Sequence, residues 1–225
     1  MGTTDDVKPA YYALRRGGWR DYVTLLHPPY TLWHLSYVAV GAAVAPHFHL
    51  DRMVWGIAAF FLAMGVAAHA LDELHGRPLR TQIPSRMLVA IAVVALAGAV
   101  AIGIWAAATW GWGLLVFVGV GAVLVPAYNL ELALHNDWGF ALCWGVFPAL
   151  TGFFVEAQTI RIEAVAAAAY AFALSLAQRA LSTPVREARR ERSTTAGTEP
   201  LERALRLLVW ASALIAVALV AARLR

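Results

Sequence analysis

Four ionisable side chains close an otherwise greasy segment. They are His69, Asp72, Glu73 and His75, in the stretch AAHALDELHGRPLRTQIP from Ala67 to Pro84. The run before them, Met53 to Ala70, has no Asp, Glu, Lys or Arg. On a helix, His69, Asp72 and Glu73 stand at i, i+3 and i+4 and share one face. Two carboxylates and an imidazole on one face have the chemistry of a cation site. Ionisable groups near a membrane interior are costly and point to function by default. The competing reading is a helix end at the water interface, with Asp72 and Glu73 paired to Arg77 or Arg80.

A second cluster lies in AYNLELALHNDWG, Ala127 to Gly139. Glu131 and His135 are i and i+4, with Tyr128, Asn129, Asn136 and Asp137 around them. This stretch has two acids and no Lys or Arg, so it could face the first cluster or a bound cation; a solvated turn is the alternative. A third group, SLAQRALSTPVR, offers Ser175, Gln178, Arg179, Thr183 and Arg186 but no acid. The guanidinium fork binds two oxygens at once and suits phosphate or carboxylate. His27 and His34 flank HPPYTLWH and could join the same chamber. His47 and His49 lie on the far side, where a His-x-His pair in a loop is weak as a metal site.

Long apolar elements must position these groups. The chain is 60% hydrophobic and 14% charged over 225 residues, more apolar and less charged than a soluble domain. Several runs approach the roughly 20 residues that cross a bilayer. They are rich in Ala, Leu, Val and Gly and too long for barrel strands, so the fold class is all-α, a polytopic transmembrane bundle. The pattern predicts seven spans, at about residues 30–47, 52–72, 86–107, 111–130, 138–155, 162–180 and 204–222. Pro28-Pro29 suit the first helix start and Thr183-Pro184 a stop. Residues 1–29 read as a polar N-terminal segment and 30–225 as one transmembrane domain, with a basic loop near 183–203. The N-terminus has no apolar core of a secretory signal.

Arginine placement gives the expected topology. Lys8, Arg15, Arg16, Arg20, Arg77, Arg80, Arg86, Arg179, Arg186, Arg189, Arg190, Arg192, Arg203 and Arg206 fall on one side; Arg52, Arg161, Arg223 and Arg225 fall on the other. The positive-inside rule then places the N-terminus and the three clusters in the cytoplasm and the C-terminus opposite. The net charge of +4 reports topology, not nucleic-acid binding. Cys143, the lone cysteine, excludes an intrachain disulfide and reads as core filler. Arg77-x-Leu-x-Thr81 and Arg179-x-Leu-x-Thr183 form a faint internal echo, four spans apart.

The order of these motifs resembles the UbiA superfamily of intramembrane prenyltransferases. The acidic end of the second span runs into GRPLRTQIPS, which looks like that family's first aspartate-rich motif. HPPYTLWHLSYVAVGAA is similar to its first span, with His27-Pro28 where the family often has Arg-Pro. AYNLELALHNDWGFALCWGVFPALTGFF looks like its fourth and fifth spans, and RALSTPVR like the tail of its second aspartate-rich motif. The likeness covers roughly residues 20–190.

The resemblance implies a UbiA-like bundle binding or transferring an isoprenoid or other membrane lipid, with Mg²⁺ on a diphosphate. Asp72, Glu73, Glu131 and His135 would be catalytic, and His69, Asp72 and Glu73 would hold the metal. Arg77, Arg80, Tyr128, Asn129, Gln178 and Arg179 would bind substrate. The chain departs from the family pattern in four ways, one being about seven spans where the family usually has about nine. Only Asp72 and Glu73 remain of the first acidic motif. Leu174, Ser175 and Gln178 stand where the second motif carries aspartates, and Glu131 and Leu132 stand near an expected Lys. Mixed histidine and carboxylate suits Zn²⁺, Fe or Mn better than Mg²⁺. Two further readings stay open: a non-catalytic lipid-binding accessory protein, and a metal- or proton-handling membrane protein. Oligomeric state is not legible.

Overall fold

Proline, glycine and short polar turns cut the apolar sequence into helices. A computed structural model describes residues 8–131, 135–191 and 197–225; Leu132 and Arg192 lie outside these. Among the described residues the order is α1 (Trp19–Leu25), α2 (Pro28–Ala43), α3 (Leu50–Leu74), α4 (Ser85–Trp110), α5 (Leu114–Asn129), α6 (Asp137–Ala157), α7 (Ile162–Arg190) and α8 (Glu199–Arg223). Strands are absent from the described residues. Pro28 and Pro29 start α2, where a missing N–H costs nothing. The Asn136 side chain accepts from Gly139 N at 2.8 Å and caps α6. Gly111, at φ 152, ends α4.

Five helices, α3, α4, α6, α7 and α8, are long and apolar enough to cross a membrane. The other two expected spans are shorter. Helices α2 and α5 have 16 residues each, about 24 Å at 1.5 Å per residue, against a hydrocarbon core of about 30 Å. Helix α2 also carries Tyr30, Thr31, His34, Ser36 and Tyr37, which lower its hydropathy. It is therefore an interior helix. Trp33 and Tyr37 are fully buried, and Trp33 Nε1 donates to the Tyr37 hydroxyl at 2.6 Å.

Close backbone approach sets the centre of the bundle. A Cβ on Gly41 would strike the Ala149 carbonyl of α6, and one on Gly152 would strike the Val38 carbonyl of α2. A Cβ on Gly145 would meet Ala171 and Ser175 of α7. Small residues let membrane helices approach this way. Large apolar side chains such as Val94, Val116, Ile162, Leu207 and Trp210 face outward, as lipid contact requires.

Two stretches have wider π-helical turns, Phe61–Ala68 in α3 and Leu142–Val146 in α6. Such bulges re-aim the side chains that follow and are frequent at functional sites. Here they precede His69 and follow the Asn136 cap. At the other end of the bundle, the Glu156 carboxylate accepts from His49 N at 2.8 Å and lies 3.0 Å from His49 Nδ1. Arg223 donates to the Pro46 carbonyl at 3.0 Å.

Candidate functional site

The ends of α3, α5 and α7 meet the starts of α2 and α6, and most of the expected polar residues gather there. Helix α3 delivers His69 and Asp72. The His69 ring stacks on His27 at 4.1 Å between centroids, and its Nδ1 is 3.1 Å from the Gly65 carbonyl. His27 Nδ1 is 2.7 Å from the Tyr12 hydroxyl. Burial pushes the Tyr12 phenol well above its ordinary range and the His27 imidazole well below. Both partners are therefore neutral, and the bond between them carries no net charge.

Asp72 is half-buried and within electrostatic reach of Arg186, His135 and Arg190. Glu73 turns elsewhere. Its side chain is fully buried and accepts from Leu79 N at 2.9 Å, Thr81 N at 2.8 Å and Thr81 Oγ1 at 2.9 Å. This corrects the shared-face reading: i+3 and i+4 are neighbours along a face, but the connection folding back under α3 captures the second acid. Arg77 is likewise committed, donating to the Ile83 carbonyl at 2.6 Å and Ser85 Oγ at 2.8 Å. Arg80 is half-buried, with left-handed φ 55, in the same turn.

Glu131, just after α5, does reach the first cluster. Glu131 Oε2 is 3.6 Å from His75 Nε2, and its Oε1 is 3.5 Å from His135 Nε2. One carboxylate thus bridges histidines from two segments. The His135 ring lies 4.9 Å from that of buried Tyr128. Asn129 bonds back to the Val125 carbonyl at 2.7 Å, so its amide closes the last turn of α5.

Helix α7 supplies Gln178, Arg179 and Arg186. Gln178 is buried, and its Oε1 has no partner among the described residues. Arg179 pairs with Asp137 at 2.7 Å and lies over the Phe140 ring. Arg186 makes no ion pair among the described residues; its guanidinium reaches Thr183 Oγ1 at 3.5 Å. It lies within electrostatic reach of Asp72, Tyr30, Tyr128 and Arg179. Tyr12 and Tyr30 were not legible as site residues; the only trace of Tyr12 is an aromatic pair inside a polar N-terminus.

His69, Asp72 and Glu73 do not form the expected metal set. Among the described residues no three His, Cys, Asp or Glu side chains are grouped to hold a metal ion. Glu73 is consumed by the loop, and His69 is packed on His27. The residues present therefore do not fit a resident multidentate metal.

An apolar groove with a volume of about 100 Å³ opens between α3, α4, α5 and α6, lined by Trp55, Phe60, Leu96, Trp110, Phe117 and Phe147. On all four helices it stops short of the polar end. A packed layer of Met64, Ala67, Ala95, Val125, Cys143 and Trp144 separates the two.

No family model and no curated protein matches the sequence. Among solved structures, the chain is similar to a UbiA homolog from Archaeoglobus fulgidus bound to Cd²⁺. The TM-score is 0.57 at 22% identity, covering 90% of this chain and 77% of that one. The all-helical arrangement and that match over nearly the whole chain show that this protein shares the fold of that UbiA homolog.

Proposed function

We propose that the polar end is a cytoplasmic-facing chamber that holds the anionic headgroup of an isoprenoid or other lipid substrate. The observation that carries this reading is Arg186, a guanidinium free of ion pairs among the described residues, facing Asp72 and the Tyr30 and Tyr128 phenols. Arg186 is exposed, so its guanidinium is open to an incoming anion. Arg186 supplies the fork for phosphate-type oxygens, and Arg179 adds a second positive charge. Gln178 and Tyr128 offer neutral polar contacts. Asp72, or Glu131 with its two histidines, takes up the proton of an acceptor group. Glu73, Arg77 and Arg80 hold the connection that closes one wall.

If the protein is a transferase, departure of a diphosphate from an allylic carbon is helped chiefly by fixed positive charge near the leaving oxygens. Purified protein mixed with prenyl diphosphates of several chain lengths, an aromatic or lipid acceptor, and Mg²⁺ then releases diphosphate. No release at any chain length, together with normal lipid binding, would overturn the transferase reading. It would favour a lipid-binding accessory protein. One observation supports that second reading: two acids near the site, Glu73 and Asp137, are already engaged by the protein's own groups.

A further inference from the structure

We propose that residues 8–18 form a hinged lid over the polar end, with Tyr12 as its plug. The inference rests on the reading of that end as a substrate chamber. Tyr12 is seated among the groups assigned to the substrate. Its hydroxyl bonds His27 Nδ1 at 2.7 Å and its ring meets Tyr30 edge-on at 5.7 Å. Both Asp72 and Arg186 lie within its electrostatic reach. A phenol in that position helps cover half-buried Asp72, while the Arg186 guanidinium stays exposed at its rim.

The seat is made by the helices that build the chamber. Arg206 of α8 lies 4.6 Å over the Tyr11 ring, and Arg189 of α7 donates to the Lys8 carbonyl at 2.8 Å. Leu14 N donates to Thr24 Oγ1 at 3.0 Å. These polar contacts stand beside aromatic ones, Tyr11 and Tyr12 against Tyr30, and a buried Ala13. They also leave two buried atoms without a partner among the described residues, the Tyr11 hydroxyl and His27 Nε2. Both belong to this contact. A buried polar group without a hydrogen bond bears a desolvation cost that water relieves on opening.

The hinge is a glycine pair. Gly17 has φ 102 and Gly18 has φ 64 with ψ −145, a region closed to side-chain-bearing residues. A Cβ on Gly18 would meet nothing within 4 Å, so backbone conformation, not space, demands glycine there. Beyond the pair, Asp21 fixes the base: its carboxylate accepts from Gly17 N at 3.0 Å and from Gln82 N at 2.8 Å. Segment 8–18 can swing while α1 stays tied to the α3–α4 connection.

The test is thiol accessibility in the full chain. In a Cys143→Ala background, Thr183→Cys places a reporter beside Arg186, and a charged methanethiosulfonate reagent reads its exposure. The lid predicts slow labelling with Tyr12 in place and labelling at least tenfold faster in Tyr12→Ala. Tyr12→Phe, which keeps the ring and loses the bond to His27, falls between them and decides the matter if Tyr12→Ala does not fold. A separate reporter at exposed Asp51→Cys keeps one rate throughout. Equal Thr183→Cys rates with and without the plug, or a wild-type rate equal to that of the Asp51→Cys control, would overturn the lid. The readout needs no substrate. Lid-dependent labelling without prenyl diphosphate binding would therefore sink the functional reading and leave the lid standing.

Discussion

Replacing Glu73 separates architecture from chemistry at the end of α3. Its fully buried carboxylate satisfies two backbone donors, Leu79 N and Thr81 N, and the Thr81 hydroxyl. Glu73→Ala leaves both N–H groups buried and unpaired, each costing about 1–3 kcal/mol. The Thr81 hydroxyl can rotate to another acceptor and adds little. The expected loss is about 2–6 kcal/mol, a large part of the 5–15 kcal/mol typical of a whole domain. Glu73→Gln keeps one acceptor oxygen and loses roughly half as much. The assay is denaturant unfolding of the purified protein in detergent, followed by circular dichroism. Asp72→Asn is the control, since Asp72 accepts no such set of bonds; it shifts stability by less than about 1 kcal/mol. A Glu73→Ala protein within about 0.5 kcal/mol of wild type would refute the reasoning and return Glu73 to the list of site acids.

Gly41→Ala and Gly152→Ala each drive a methyl into a facing backbone carbonyl, so each is expected to cost about 3 kcal/mol or more, read as a lowered unfolding temperature. Their effects overlap in the double variant, because both open the same α2–α6 contact. Burial holds the folded-state pKa of His27 well below its ordinary value. The unfolded chain therefore takes up that proton first, and stability is full above about pH 6.5 and falls as pH drops below it. His27→Gln flattens that acid limb in a pH series of unfolding midpoints; an unchanged slope would contradict the assignment. Asp137→Asn frees Arg179, now carrying its charge without a near partner, and is expected to tighten binding of an anionic headgroup several-fold.

The bundle was legible because span length and composition leave little choice: no other structure satisfies the backbone of runs such as Met87–Ala108 in lipid. Helix α2 was read as a span of the same kind. Its polar residues make it a short interior helix gripped by α6 and α8, with His34 bonded to the Trp144 carbonyl at 2.8 Å. Spacing along one helix put Asp72 and Glu73 together, and it failed for Glu73 because the captor, Leu79 to Thr81, lies in a turn whose return path no periodicity encodes. The meeting of Glu131 with His75 was legible as a charge anomaly, an acidic loop on an arginine-rich side. Arg186 carried a phosphate-binding chemistry in sequence, but its freedom from ion pairs depends on where Asp137 and Glu202 point. Asp137 pairs with Arg179, and Glu202 with Arg189 and Arg206. Tyr12 was hidden altogether, since a residue 60 positions from Asp72 joins it only when the chain before α1 folds back.

The central claim is that Arg186 receives an anionic lipid headgroup, and equilibrium binding of a prenyl diphosphate to wild-type and Arg186→Gln protein tests it most directly. The account predicts saturable wild-type binding that weakens at high salt, and a loss of at least tenfold in affinity for Arg186→Gln with unfolding behaviour unchanged. Equal affinities for the two proteins would contradict it.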